Sequence, residues 1–144
     1  MENKISVLMP VKNGEKFLDG AINSIRSQTY GELELIVMDN GSSDRSWQIM
    51  MDQKSSDERI RVVRNRNIGL TQSLNLMISM ASGDFIARID SDDVSEPRRL
   101  ERQLQALLKD ESAMMATGRC KVLDEHDNEI YESGPPQNKI EIKR

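Results

Sequence analysis

The sequence has a single cysteine and no long apolar run. Because Cys120 is the only cysteine among 144 residues, an intramolecular disulfide and a cysteine-rich zinc site are both excluded. Its neighbours predict a small, buried strand residue rather than a reactive thiol. The apolar run over residues 5–9 is far too short for a membrane span or for the core of a signal peptide. We therefore expect no integral membrane segment and a cytoplasmic location.

A strong excess of charge of either sign is absent as well. Lysine and arginine number 20 and aspartate and glutamate number 24, which gives a formal net charge of −4. This balance offers no general attraction to nucleic acid or to an anionic membrane, so no nucleic-acid partner is expected. Four arginines nevertheless lie close together in the chain. They could form either an anion-attracting face or a solvated strand edge: Arg59, Arg61, Arg64 and Arg66.

Two common phosphate-binding motifs are missing. A dinucleotide-binding Rossmann fold needs G-x-G-x-x-G after the first strand, but the turn from Pro10 to Glu15 contains one glycine. No G-x-x-x-x-G-K-[ST] sequence occurs, which excludes a P-loop. A phosphoacceptor receiver domain, also a small α/β protein, would need paired acids after the first strand, and none occur there. A metal-dependent site for a phosphorylated ligand is the interpretation that remains.

Apolar and polar segments alternate along the chain as in an α/β protein. Runs of aliphatic residues predict strands over residues 5–11, 33–38, 60–63, 85–89 and 114–123. Apolar residues at helical spacing predict helices over residues 15–25, 43–51, 70–81 and 97–108. Because strand and helix alternate four times, we expect a mostly parallel sheet with helices on both faces, in a single domain over residues 1–144. A turn over residues 124–128, a hairpin strand at 129–131 and a charged tail should follow.

Polar residues follow each of the first four predicted strands. They occupy residues 12–14, 39–42, 65–69 and 90–93. Ligands of such sheets bind beyond the carboxyl ends of the strands. Four polar loops at one edge of the sheet therefore predict a single binding site there.

The last of these loops contains three carboxylates within four residues, Asp90, Asp92 and Asp93. They repel one another, and they are expensive to desolvate without a compensating cation. Carboxylate oxygens suit Mg²⁺ or Mn²⁺, held by one or two carboxylates together with substrate phosphates. The alternative is a solvated acidic loop, and the three other polar loops favour the metal site.

Four motifs resemble, in order, those of family 2 glycosyltransferases of GT-A fold. They are residues 5–15, 37–44, 67–70 and 90–93, the last followed by Pro97-x-Arg99-Leu100. The resemblance extends from about residue 5 to the end of the chain. It implies a Rossmann-like, mostly parallel GT-A sheet, truncated on its C-terminal side, that binds a nucleotide-sugar donor.

The resemblance also implies roles for individual residues. Asp92 corresponds to the D-x-D acid that binds the metal, Mn²⁺ or Mg²⁺, at the donor diphosphate, and Asp90 to an acid that assists at the metal or the ribose. Ser91 lies between them in the same donor-binding motif. The other donor-binding positions lie beneath the nucleotide (Pro10, Val11, Lys12 and Asn13, with Glu15 nearby), at the base and ribose (Asp39 and Asn40), and in the loop that closes over the nucleotide (Asn67 and Gly69).

Two positions depart from the family pattern. Lys12 stands where members often have an aromatic residue, and Asn40 replaces the second acid of a D-D-G-S motif. Because an amide both donates and accepts hydrogen bonds, Asn40 can read a base edge differently from a carboxylate. Lys12 weakens the case for uracil specifically, so UDP is the default donor nucleotide rather than one that the sequence specifies. Trp47 is expected to be the buried anchor of its helix, with contact to a sugar as the alternative.

The resemblance implies metal-dependent, inverting transfer of a sugar from a nucleotide-diphosphate sugar to a glycan or other acceptor, typically in polysaccharide assembly. Inverting members use a carboxylate general base in their acceptor half. We expect that base beyond Arg144, and so expect this chain to be the donor-binding half. The alternative is a non-catalytic nucleotide-binding or assembly module that retains only that half.

The remaining polar residues near the end of the chain are expected to be surface groups. They are Asp124, Glu125, His126, Asp127, Glu129 and Glu132. An open sheet edge left by a missing half would permit contacts between copies of the chain, as in a homo-oligomer.

Overall fold

The computed structural model of the protein describes residues 3–124, 126 and 128–134. It contains two compact units, residues 1–100 and residues 101–144. The assignment of the whole chain to one domain stays a prediction. Glu125 and Asp127 of the predicted turn, and the predicted tail from residue 135 onward, lie outside the described residues.

The first unit contains a four-stranded parallel sheet. Its strands are β1 (Ile5–Val11), β2 (Leu33–Asp39), β3 (Ile60–Arg64) and β4 (Phe85–Arg88), in the order β3-β2-β1-β4. The helices are α1 (Leu18–Arg26), α2 (Ser46–Ser56) and α3 (Leu70–Met80), and α4 (Arg99–Lys109) follows β4 in sequence. The predicted alternation and the parallel sheet are confirmed. None of the described helices combines the length and the apolar composition that crossing a bilayer requires.

Both faces of the central strands are covered. Leu8, Ile36 and Met38 pack on one face against Met77 of α3. Because side chains alternate along a strand, the residues next to Leu8, such as Val7, point to the opposite face, and Val7 is fully buried too. In a parallel sheet covered on both faces, the central strands leave neither face to solvent, whereas Ile86 and Arg88 of the edge strand β4 are exposed. This explains why β1 and β2 are nearly continuous apolar runs.

A buried carboxylate joins β1 and β2 to the turn before β4, at the amino-terminal edge of the sheet. Glu34 Oε1 accepts hydrogen bonds from Ser6 Oγ at 2.6 Å and from the amide and hydroxyl of Ser82 at 2.7 and 2.8 Å. The Gly83 amide donates to the same Ser6 hydroxyl at 2.8 Å. Burial raises the pKa of Glu34, but the hydrogen bonds from Ser6 and Ser82 outweigh it and lower that pKa from 4.5 to about 2.

The second unit contains a two-stranded antiparallel hairpin. β5 (Cys120–Leu123) pairs with β6 (Glu129–Ser133), which confirms the predicted hairpin. The predicted strand over residues 114–123 is wrong over its first six residues, because residues 114–119 pair with no described strand. The predicted burial of Cys120 is also wrong, since this residue is exposed. A sheet of two strands encloses no core of its own, and all of β6 is exposed as well.

Candidate functional site

The register of the strands brings their carboxyl ends to one edge of the sheet. Val11 of β1 lies beside Asp39 of β2, and Asp39 lies beside Arg64 of β3. β4 ends slightly earlier, with Arg88 beside Leu8. The four polar loops therefore begin at the same edge, as the alternating pattern predicted.

Asn13 holds the loops after β1 and β2 together. The backbone amide of Asn13 donates to Ser42 Oγ at 2.9 Å, and its side-chain Oδ1 accepts a hydrogen bond from the Ser43 backbone amide at 2.9 Å. The φ of Asn13 is 54°, in the left-handed region that asparagine adopts more readily than most residues. The next amide, of Gly14, donates to Ser46 Oγ at 2.9 Å. Side chains of the second loop thus fix the backbone of the first.

Glu15 joins the same two loops. Its amide donates to Asp44 Oδ2 at 3.0 Å, and its Oε2 accepts a hydrogen bond from the Arg45 amide at 2.9 Å. The Nε of Arg45 lies 3.6 Å from that same oxygen. The predicted donor-binding carboxylate of Glu15 is therefore engaged at the start of α2.

Asp39 is the most buried of the predicted site residues, with a fully buried side chain. Its Oδ1 accepts a hydrogen bond from the Ser42 amide at 2.8 Å. Its Oδ2 is also buried, and within the described part of the chain it accepts no hydrogen bond. The Nε of Arg64 lies 3.4 Å from Oδ2, close enough for an ion pair. A buried carboxylate oxygen without a donor is costly, so a ligand N–H or O–H would stabilise it.

Asn40 tethers the third loop, residues 65–69. Its side-chain Oδ1 accepts a hydrogen bond from the Ile68 amide at 3.0 Å. A Cβ at Gly41 would lie 3.2 Å from the backbone nitrogen of Asn67, and the φ of Gly41 is 82°. Both observations favour glycine at this position. Gly69, with a φ of 80°, precedes α3. The carbonyl oxygen of the Asn40 side chain thus positions the loop that was predicted to close over a nucleotide.

The three acids after β4 have different environments. Asp90 Oδ1 accepts hydrogen bonds from Arg88 Nε and Nη2 at 3.1 and 2.7 Å. Asp92 is exposed. Asp93 is exposed as well, but partial desolvation raises its pKa, and the negative charges of Asp92 and Asp90 raise it further. Negative charge that accumulates in this way favours a bound cation.

The donor set fits a hard divalent cation that shares its coordination with another ligand. In the described ranges of the chain, no group of three or more histidine, cysteine, aspartate or glutamate side chains could hold a metal ion by itself. Mg²⁺ and similar ions are commonly bound through one or two carboxylates, with phosphates and water at the other positions. Asp92 and Asp90 offer carboxylates of that kind.

The acidic loop touches the first loop through Ser91 and Gly14. A Cβ at residue 14 would lie 3.2 Å from Ser91 Oγ and 3.5 Å from Val11 Cγ1. The missing side chain of Gly14 therefore lets the two loops meet. Together with the bonds through Asn13 and Asn40, this contact joins all four predicted loops into one surface.

The predicted site residues differ in their exposure. Val11, Asp39 and Asn40 are buried, Pro10, Asp90 and Ser91 are half-buried, and Lys12, Asn13, Glu15, Asn67, Gly69 and Asp92 are exposed. All of them lie at or next to the carboxyl ends of the strands. Their roles toward a ligand stay predictions.

The arginines that cluster in the sequence do not form one face. Three of them pair with three different acids: Arg59 with Asp57, Arg61 with Glu34, and Arg64 with Asp39. Only the last pair lies at the edge that carries the polar loops. The register between β2 and β3 decides which arginine lies at that edge, and the sequence analysis did not predict this register.

Trp47 also contributes to this edge in a way that the sequence did not predict. The Arg64 guanidinium lies over the Trp47 ring, with Cζ 4.8 Å from the ring centroid, within cation–π range. Trp47 is half-buried, so its predicted role as the buried anchor of α2 is wrong. Met50, one turn later and fully buried, has that role. Trp47 is in the first turn of the helix, beside the site, where one side of its ring meets Arg64.

Comparison with known proteins identifies the family. A family model described as glycosyl transferase family 2 matches residues 6–142. The chain belongs to this family. The O-antigen biosynthesis glycosyltransferase WbnJ of Escherichia coli is 36% identical over 140 residues, which are 94% of this chain and 54% of that protein. Glycosyltransferase GlyG of Streptococcus pneumoniae is 34% identical over 132 residues, 91% of this chain and 44% of that protein. The chain thus spans about half the length of these curated relatives.

Solved structures agree with the family. S. aureus TarS 1–349 in complex with UDP superposes with a TM-score of 0.66 at 28% identity, over 74% of this chain and 32% of that chain. Mannosyltransferase PcManGT from Pyrobaculum calidifontis, in complex with GDP-Man and Mn²⁺, has a TM-score of 0.67 at 20% identity, over 88% and 37% of the two chains. At that identity the second likeness concerns the fold alone. The predicted family 2 membership and the α/β fold of GT-A type are confirmed.

Proposed function

We propose that this chain is the donor-binding part of a glycosyltransferase that uses a nucleotide-diphosphate sugar, with UDP as the default nucleotide. The observation that carries the proposal is the buried Oδ2 of Asp39, which accepts no hydrogen bond from the described residues and lies where the polar loops meet. A nucleotide would supply the missing donor from an N–H of the base or a hydroxyl of the ribose. The complexes of TarS with UDP and with UDP-GlcNAc support this class of ligand.

The first and third loops would enclose the nucleotide from two sides. In this proposal the residues beneath the nucleotide are Pro10, Val11, Lys12 and Asn13. Glu15 holds their loop in place through its hydrogen bonds with Asp44 and Arg45. Asn67 and Gly69 belong to the loop that closes over it, and the hydrogen bond from Ile68 to Asn40 holds that loop near Asp39.

A divalent cation, Mn²⁺ or Mg²⁺, is proposed at the acids after β4. Asp92 is the primary ligand, because its carboxylate is exposed, whereas Asp90 is already paired with Arg88 and assists. The donor phosphates would complete the coordination. When bound, the ion neutralises the negative charge that builds on the departing diphosphate. Ser91 packs against Gly14 and keeps the acids beside the first loop.

Transfer to a glycan acceptor with inversion is proposed for the complete enzyme, together with a cytoplasmic location. The name of WbnJ, an O-antigen biosynthesis enzyme, supports polysaccharide assembly as the setting. A general base is not assigned among the described residues. A second candidate function is a nucleotide-binding or assembly module that binds the donor without transferring the sugar, because the described contacts that carry the proposal all lie at the donor site. Sugar transfer by the 144-residue chain, measured with UDP-sugar and glycan acceptors, would exclude this second candidate.

Calorimetric titration of UDP, with and without Mn²⁺, tests the donor site. The wild-type chain is compared with Asp92→Asn and with Asp52→Asn. The second variant is the matched control, because Asp52 is an exposed residue of α2 and an amide there still offers Oδ1 to Gln48 Nε2, now 2.8 Å away. We expect Mn²⁺ to strengthen UDP binding to the wild type and to Asp52→Asn, and to have little effect on Asp92→Asn.

Two results would contradict the proposal. A folded chain that binds none of UDP, GDP and dTDP would exclude a nucleotide site. Equal UDP affinity with and without Mn²⁺ in the wild type would exclude the metal while leaving the nucleotide site in place.

A further inference from the structure

We infer that Arg64 is a second base-binding residue, oriented by Trp47, which donates hydrogen bonds to the nucleobase beside the group that Asp39 accepts. This inference rests on the proposed function and deepens it. It assigns to the site a base edge that carries an N–H next to a carbonyl oxygen, as in uracil, thymine or guanine.

The position of Arg64 follows from strand register. Arg64 is the last residue of β3, directly beside Asp39 at the end of β2. Its Nε lies 3.4 Å from Asp39 Oδ2, the buried oxygen that accepts no hydrogen bond from the described residues. A hydrogen-bond acceptor and a guanidinium therefore lie side by side.

Arg64 is held in place by stacking on Trp47 and by its ion pair with Asp39. Its guanidinium lies 4.8 Å from the centroid of the Trp47 ring. Its side chain is 57% exposed, and it donates no hydrogen bond to any residue in the described part of the chain. A guanidinium carries five N–H donors in a planar fork. An aromatic platform that orients this fork beforehand reduces the entropy lost when a ligand binds.

The order of the strands places Arg64 at the nucleoside end of the site. β3 and β4 are separated by two strands, so their ends lie about 14 Å apart, three strand spacings. A diphosphate at Asp90 and Asp92 would therefore be out of reach of Arg64. The base would lie over the ends of β2 and β3, where Asp39 accepts its N–H and Arg64 donates to the neighbouring oxygen. This pairing of one donor with one acceptor is the way protein side chains read base edges.

The test compares two probes, UDP and inorganic pyrophosphate, both titrated in the presence of Mn²⁺. The variants at the arginine are Arg64→Gln and Arg64→Lys, and the control is Arg102→Gln, the same charge change on an exposed residue of α4 outside the four polar loops. We expect Arg64→Gln to weaken UDP binding by about 10-fold or more and to leave pyrophosphate binding unchanged. Arg64→Lys should weaken UDP binding too, because an ammonium lacks the planar fork. Arg102→Gln should match the wild type.

Variants of Trp47 test the positioning role. Trp47→Phe keeps an aromatic face for the guanidinium, whereas Trp47→Leu removes it. We expect near wild-type UDP affinity in the first and a loss of several-fold in the second, again with pyrophosphate binding unchanged. Thermal unfolding of each variant verifies that it is folded.

Each contrary result has a defined meaning. Unchanged UDP affinity in Arg64→Gln would overturn the assignment, and so would an equal loss for pyrophosphate or in Arg102→Gln, because either would indicate a general effect of charge. Unchanged UDP affinity in Trp47→Leu would overturn the role of Trp47. A wild-type chain that binds no nucleoside diphosphate would refute the proposed function itself, and with it this inference.

Discussion

Asn13 and Ser43, which lie 30 residues apart in the chain, are joined by two hydrogen bonds to one oxygen. The Ser43 amide donates to Asn13 Oδ1 at 2.9 Å, and the Ser43 hydroxyl donates to it at 3.3 Å. This contact ties the loop after β1 to the loop after β2. A residue that would be taken for a nucleotide contact from its motif is thus also a structural link between the two loops that flank the site.

Substitutions of Asn13 should separate two contributions to stability, the hydrogen bonds that Asn13 Oδ1 accepts from Ser43 and the cost of a positive φ at residue 13. Asn13→Ala loses the acceptor and must also hold a φ of 54°, whereas Asn13→Gly loses the acceptor alone. We expect Asn13→Ala to be less stable than Asn13→Gly by about 1 kcal/mol. Asn13→Asp keeps the acceptor and should remain close to the wild type. Urea denaturation measures the three differences, and equal stability of the alanine and glycine variants would contradict the role of φ.

Asp39→Asn should weaken nucleotide binding without unfolding the protein. The side-chain amide still offers Oδ1 to the Ser42 backbone amide, but an NH₂ group, which donates, replaces Oδ2, the oxygen that accepts no hydrogen bond from the described residues. We expect the affinity for UDP to fall by about 10-fold or more, because a hydrogen bond to a buried charge is lost. Calorimetry measures the affinity and thermal unfolding verifies the fold. Undiminished UDP binding in a folded variant would remove Asp39 from the site.

Stability should depend on pH through Glu34. Its pKa is about 2 in the folded protein, against 4.5 ordinarily, so the unfolded chain takes up the proton more readily. Its contribution to the free energy of unfolding, about 3 kcal/mol, is complete above pH 4.5 and is lost as the pH falls toward 2.

Glu34→Gln is the variant that isolates this contribution. The difference in unfolding free energy between wild type and Glu34→Gln should be largest at neutral pH and should shrink toward about pH 3. Denaturant titrations at several pH values measure it. The pKa of Asp57, also about 2 because of its hydrogen bonds from Arg59, affects both proteins equally. A difference that stays constant with pH would show that Glu34 does not titrate in this way.

Gly83 and Gly20 should respond to alanine in opposite directions. A Cβ at Gly83 would lie 2.6 Å from the Ser6 amide nitrogen and 2.7 Å from the Lys4 carbonyl oxygen, and backbone atoms cannot move aside cheaply. We expect Gly83→Ala to destabilise the protein by about 1–3 kcal/mol. A Cβ at Gly20, inside α1, would have no atom of the described residues within 4 Å, so Gly20→Ala should stabilise the protein by about 0.5–1 kcal/mol. Thermal unfolding measures the change in melting temperature of each variant. A change of the same sign in both variants would contradict the packing argument.

The arrangement of elements could be predicted from the sequence because it depends on local properties. Aliphatic runs at β1 and β2 and apolar residues at helical spacing in α1 and α3 specify strands and helices through patterns of a few residues. Their alternation then permits few folds other than a parallel sheet with its loops at one edge. The prediction failed where no local pattern decides, as at Cys120, whose exposure depends on how many strands its sheet contains.

The sequence by itself determined the family and the residues that line the four loops, because motifs keep their order and spacing along the chain. Only the tertiary structure decided which polar atoms those loops leave for a ligand. Glu15 is engaged by Arg45 and the Asn40 oxygen by Ile68, whereas Asp39 Oδ2 has no hydrogen bond from the described residues. Whether each of these oxygens has a hydrogen bond depends on contacts between residues about 30 positions apart, which form when the parallel strands align. The same alignment places Arg64 beside Asp39. Each contact needs a partner from another segment, so neither segment by itself specifies which polar groups meet.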